Sequence, residues 1–166
     1  MRFSAVAVLT LVAACQAAPP EAPALDRQAI ADEVQQTVNA WMETGPTNDL
    51  DAAAAFFMDD LSTYFVGDPM LFFNRLRVYP TKPDFVQAFE PSMANRTGTH
   101  YNQTGSSFVV LSADAVVHTY QGTYNITNLE GVTGPDYPMT VTVVWVRHEG
   151  AWKILHLHQS WSTDIE

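Results

Sequence analysis

The chain has 166 residues, 47% of them hydrophobic, with 8 Lys+Arg against 18 Asp+Glu and a formal charge of -10. That length holds one ordinary domain with a buried core and leaves little for a second. The negative field repels nucleic acid and anionic lipid headgroups, which excludes nucleic acid as a partner, and its ordinary use is solubility.

Residues 1–15 start with Arg2, continue as an apolar run from Phe3 to Ala14 and end at Cys15, the only cysteine of the chain. A lone thiol excludes an internal disulfide. The run spans 12 residues, short of the roughly 20 that a helix needs to cross a bilayer. Val12-Ala13-Ala14-Cys15 resembles the bacterial lipobox, where small residues fit the signal peptidase and the thiol takes a diacylglycerol. The resemblance implies a signal peptide at 1–14, a lipid on Cys15 that ties the protein to a membrane, and export. Gln16 in place of Asp then implies the periplasmic face of the outer membrane of a Gram-negative cell. An ordinary secretory leader, with Cys15 incidental, is the alternative. Residues 15–25 comprise that cysteine and an Ala/Pro-rich tether, a composition that stays extended and buries little. The folded domain is expected at 26–166.

Within it, Ile30, Val34, Val38 and Trp41 recur along one helical face, predicting a first helix to about Met42 with Asp26 as N-cap. Gly45-Pro46 ends it, and Thr47 or Asn48 can cap a second helix through Asp49 to Met58, with Leu50, Ala54 and Phe57 on one side. Leu61 to Val66 and Leu71 to Tyr79 read as a hairpin broken at Gly67-Asp68-Pro69. Thr81 with Asp84 approximates a capping box for a third helix carrying Phe85, Phe89 and Met93.

After Gly98 the chain turns rich in Val, Thr, Tyr and Trp, predicting long strands at about 99–112, 114–128, 138–149 and 151–162. Helices first and a meander last give an α+β fold: a cone-like, curved antiparallel sheet with three N-terminal helices packed over its concave face. Strict alternation along the last strand puts Trp152, Ile154, His156, His158 and Ser160 on one side, and Lys153, Leu155, Leu157, Gln159 and Trp161 on the other. In 114–128, His118, Tyr120 and Tyr124 likewise share a face. If the two faces meet, they form an apolar interior with polar tips, the make-up of a small-molecule pocket.

The stretch VVWVRHEGAWKILHLHQSWS at 143–162 resembles the C-terminal hairpin of the nuclear transport factor 2-like superfamily, nearest in pattern to SnoaL-like domains and the association domain of calcium/calmodulin-dependent protein kinase. The resemblance covers about 27–162 and implies the cone fold. Its members include isomerases, cyclases, dehydratases and pure binding or assembly domains, so activity has to come from the site. It implies that His156, His158 and Ser160 line or border the cavity. The association domain's pocket is basic; here the matching positions are Tyr120 and Val143, which argues against an anionic ligand held by a guanidinium. Ketosteroid isomerase uses an Asp after the second helix and a Tyr on the first; Asp60 and Asp68 lie in that region, but the first helix has no Tyr.

These residues support a binding module for a small, mostly apolar ligand, contacted by His156, His158, Ser160, His118, Tyr120 and Tyr124. The alternative is a proton-transfer enzyme, an isomerase, cyclase or dehydratase, with His158, His156 or Asp68 as base. No metal or cofactor is expected, because two imidazoles at i and i+2 need a third ligand that no motif supplies. Asp59 and Asp60 read as a solvated turn, and most tryptophans as core. A third possibility is assembly: the sheet's outer face, taken to carry Leu157 and Trp161, pairs with a second copy to give a homodimer. Feeding a labelled fatty acid to the producing cells is expected to mark the wild-type chain and leave Cys15→Ser unlabelled; equal labelling would exclude Cys15 as the anchor.

Overall fold

Asp26 starts the first helix, α1 (Arg27–Met42): its carboxylate accepts from the Ala29 amide at 3.0 Å, and Ile30, Val34 and Val38 form the buried stripe. The computed structural model describes residues 24–66 and 76–161. Residues 1–23, the Gly67-Asp68-Pro69 turn and Leu71 therefore lie outside the described residues, and with them Cys15 and Asp68.

The expected second helix is two short pieces, α2 (Thr44–Thr47) and α3 (Leu50–Ala54). Asn48 between them is left-handed, with φ 55°, and its side-chain amide donates to the Met93 and Arg96 carbonyls at 3.0 and 2.9 Å. It is thus the C-cap of α2, its backbone amide donating to the Gly45 carbonyl at 3.1 Å, and a stitch to another element, not the expected N-cap; Asp49 caps α3 by accepting from the Ala52 amide at 2.9 Å. Gly45 sits inside α2 because the helix lies against the next sheet edge, where a Cβ would stand 2.5 Å from the Thr99 carbonyl. Phe57 and Met58, expected in helix, open the first strand instead.

That strand, β1 (Phe57–Val66), pairs antiparallel with β2 (Leu76–Tyr79) as the expected hairpin. Thr81 caps α4 (Lys82–Met93), accepting from the Asp84 amide at 3.3 Å and donating to its carboxylate at 2.6 Å. The meander follows as β3 (Arg96–Ser112), β4 (Ala115–Asn128), β5 (Tyr137–His148) and β6 (Ala151–Trp161), close to the expected bounds. The sheet order is β2-β1-β6-β5-β4-β3. The α+β class holds, with one amendment to the antiparallel expectation: β1 runs parallel to β6.

The helices cover one face of this sheet. On that face stand Val116, Tyr120 and Tyr124 of β4, Met139, Val141, Val143 and Trp145 of β5, and Ile154 and Leu157 of β6, all buried. Ile154 and Leu157 are three apart, which an unbroken strand cannot put on one side. The register explains it: Val144 pairs with His156 but Trp145 with Ile154, so Leu155 is an extra residue, a β-bulge. Beyond it the alternation of β6 is reversed. Leu157, Gln159 and Trp161 turn toward the helices, and His158 is exposed on the other face. At the far end, Arg147 fastens α1 to the β5–β6 hairpin, donating to Glu33 at 2.5 Å while its guanidinium lies 4.5 Å above the Trp152 ring.

Candidate functional site

Between the helices and the sheet lies a hollow of about 80 Å³. Trp41 reaches it from the end of α1, Leu50 and Ala53 from α3, and Phe85, Phe89 and Met93 from α4 at i, i+4 and i+8. The sheet contributes Phe57 from β1, Tyr120 and Tyr124 from β4, and Leu157, Gln159 and Trp161 from β6. The wall is largely aromatic and interlocked, with ring centroids at 4.7 Å for Phe57–Phe85, 4.6 Å for Phe85–Phe89 and 4.9 Å for Tyr124–Trp161. A cavity that takes benzene has roughly 150 Å³. A ligand of that size therefore extends into the mouth, where Tyr101 of β3 is 37% exposed.

Of the residues proposed from sequence, Tyr120 and Tyr124 line the hollow. His118 is on their face but behind it, fully buried and stacked 4.4 Å from the Phe108 ring and 5.2 Å from Tyr120. Its Nε2 lies 3.0 Å from Ser106 Oγ and 3.3 Å from the Gln103 amide nitrogen. Since that amide can only donate, Nε2 is the accepting nitrogen of a neutral ring. Burial pushes His118 down to about 4. His156, His158 and Ser160 do not line the hollow; the bulge at Leu155 carries them to the opposite face. The assignment of outer face to Leu157 and Trp161 is corrected by the same bulge, for both face the hollow.

Polar side chains that line the hollow include Thr44, Thr99, Tyr120, Gln159 and Arg96, beside Tyr101, Tyr124 and Trp161. Burial, and next the neighbouring Tyr101, push the Tyr120 hydroxyl well above the ordinary phenol range, so it stays protonated and able to donate. Gln159 Nε2 faces Met139 Sδ at 3.4 Å. Arg96 is the residue that sequence reasoning missed. It opens β3 immediately after α4, is only 8% exposed, and points Nε and Nη2 at Met93 Sδ, at 3.3 and 2.7 Å. The argument from Tyr120 and Val143 against a guanidinium in the pocket is thereby overturned, because one arrives from a different strand position. The available signal was the Met93-x-x-Arg96 spacing at a helix end before a strand. Asp59 and Asp60 are exposed, and Asp59 pairs with Lys82 at 2.7 Å.

A family model described as the SnoaL-like domain matches residues 34–164. No curated protein sequence matches. Among solved structures, a nuclear transport factor 2-like protein of unknown function from Pseudomonas putida is 19% identical, with TM-score 0.65 over 84% of this chain and 91% of that one. A type 2 hexachlorocyclohexane dehydrochlorinase is 16% identical, with TM-score 0.62 over 82% and 88%. The association domain of a calcium/calmodulin-dependent kinase II from C. elegans is 14% identical, with TM-score 0.61 over 80% and 96%. At these identities the likenesses establish the fold.

His118 gives a pH test. The unfolded imidazole takes up a proton below about 6.5, whereas the folded one does so only near 4, so stability falls as pH drops through that window and levels off below it. At about 1.4 kcal/mol per unit, the loss is on the order of 3 kcal/mol. Urea titrations of wild type and His118→Gln at pH 7 and 4.5 are expected to show a steeper acid loss in wild type; parallel losses would contradict a buried neutral ring.

Proposed function

Because the chain belongs to the SnoaL-like family of the nuclear transport factor 2-like superfamily, we propose that it is a binding module that holds a small, mostly apolar molecule in the hollow beneath its helices. The observation that carries this reading is the wall itself: rings from α1, α4, β1, β4 and β6 converge, with a few polar tips among them. Among the described lining residues there is no imidazole and no carboxylate, hence no general base. The proton-transfer alternative, favoured by the fold shared with a dehydrochlorinase, therefore ranks second and rests on Asp68.

We place the module outside the inner membrane, tethered through lipid on Cys15. The support is the leader sequence and a tether-like 15–25 segment. We also propose a homodimer through the sheet face away from the helices. Thr119, Thr142 and His158 share one register row there and Gln121, Thr140 and Ser160 another, and the superfamily includes an association domain. Light scattering is expected to give twice the monomer mass, and a single-chain mass at high concentration would refute pairing.

Melting curves against a panel of neutral apolar molecules, from cyclopentane to naphthalene in size, test the binding reading. A ligand at 100-fold its Kd adds about 2.7 kcal/mol, a rise of several degrees for a domain of this size. The rise is expected to persist in the double substitution His156→Ala, His158→Ala and to vanish in Ala53→Phe, which fills the hollow. No shift with any member would overturn the reading.

A further inference from the structure

Tyr120 and Gln159 stand in one register row of the sheet, on either side of Val141 of β5. Both line the hollow, only 2% and 7% exposed. Neighbouring strands lie about 4.8 Å apart, so the pair flanks the shorter valine at a Cα separation of about 10 Å. We propose that the molecule held in this hollow carries a hydroxyl group on its apolar body, and that Tyr120 and Gln159 recognise that group together. This rests on the reading of the hollow as a binding pocket and adds the chemical class of its guest.

The two side chains offer opposite halves of a hydrogen-bonding site. Tyr120 Oη has no hydrogen-bond partner among the described residues and stays protonated, so its O–H is an uncommitted donor. Gln159 is set the other way round. Its Nε2 donates to Met139 Sδ at 3.4 Å, which turns Oε1 away from the sulfur, and Oε1 meets no donor among the described residues. The opposite amide orientation would set oxygen against a thioether that has no proton to give. The bulge at Leu155 is what brings Gln159 to this face. Arg96, the charged member of the wall, already has partners in the fold, the Met93 thioether among them.

A buried polar group without a partner costs free energy that a fitting guest recovers. A hydrocarbon pairs neither group. A ketone or an ether accepts from Tyr120 and leaves the Gln159 carbonyl bare, while a carboxylate sets oxygen against that carbonyl and enters against a formal charge of -10. An alcohol or a phenol serves both at once, accepting from the tyrosine and donating to the amide oxygen. The row thus selects for one neutral O–H placed above Val141, with the aromatic wall left to hold the carbon skeleton.

Cyclohexanol, cyclohexanone and methylcyclohexane are alike in size, and their dissociation constants for the full chain at pH 7 separate these cases. Wild type is expected to bind the alcohol at least about tenfold tighter than the ketone, the effect of one buried acceptor left bare. Gln159→Leu should bring alcohol and ketone level. Tyr120→Phe should weaken both by about tenfold, and each variant should still hold the hydrocarbon. A wild type that binds the ketone as tightly as the alcohol, or accepts only guests without a hydroxyl, overturns this inference and leaves the pocket reading standing, whether or not a variant folds. A preference for the alcohol that persists in a Gln159→Leu chain still able to bind the hydrocarbon also overturns it. If none of the three binds and the wider neutral panel also fails, the pocket reading falls and takes this inference with it.

Discussion

Leu155 has no partner of its own on β5, because Ile154 and His156 take the adjacent positions Trp145 and Val144. That single inserted residue sets which side chains of the last strand meet the helices. A strand's side chains alternate with period two, so one extra residue exchanges its two faces from that point onward. Before the bulge Trp152 and Ile154 face the helices, and after it Leu157, Gln159 and Trp161 do. The hollow gains an indole and an amide that uninterrupted alternation would have turned to the outer face, and loses two imidazoles and a hydroxyl. The bulge is anchored: the Ile154 amide donates to the Phe56 carbonyl at 2.7 Å, and the Lys153 ammonium to the Ala55 carbonyl at 2.6 Å. Those bonds tie β6 to the α3–β1 turn, where β1 joins the sheet in parallel.

The same device shapes the opposite edge. β3 skips register against β4 near Thr97, Thr104 and Leu111, and each extra residue adds local twist and bend. A strand of 17 residues curved in this way can reach around the helices and place Arg96 and Tyr101 on the hollow while its far end packs Val110 into the core. The helices need little more than apolar stripes and caps to close over it. Asn48 then fixes the one junction, α4 to β3, at which a charged group enters an apolar wall.

What the sequence disclosed follows the strength of each local signal. The α1 stripe, the Thr81 cap, the long strands and their turns are periodic or chemically marked, and their bounds hold to within about three residues. The likeness to SnoaL-like domains was legible from the hairpin 143–162, and that family is borne out. Face assignment in β4 held, because no bulge interrupts it against β5. In β6 it failed past Leu155, since an extra residue in a Lys-Ile-Leu-His-Leu run leaves no mark in composition or period. The second helix was overextended because Phe57 suits either an amphipathic helix or a strand. Arg96 escaped notice because its burial depends on Met93 and Asn48, contacts that pattern alone does not reveal. The tryptophans divided as four residues of one type seldom announce: Trp145 and Trp152 are core, Trp41 and Trp161 are wall.

Electrostatically the molecule is a strongly acidic surface around a hollow whose one charged wall residue, among those described, is cationic. Imidazoles have no part in that arrangement: His118 is stacked and neutral behind the wall, and His158 belongs to the outer face. The reversal in β6 underlies all of this, and cysteine accessibility measures it directly. In a Cys15→Ser background, single cysteines at 154, 155, 157, 158 and 159 are to be treated with a bulky maleimide under native conditions. The account predicts fast labelling at 155, protection at 154, 157 and 159 at any concentration, and labelling at 158 that pairing of two copies slows and dilution to the monomer makes fast. Protection at 158 with rapid labelling at 157 and 159 would show an unbroken strand and contradict it.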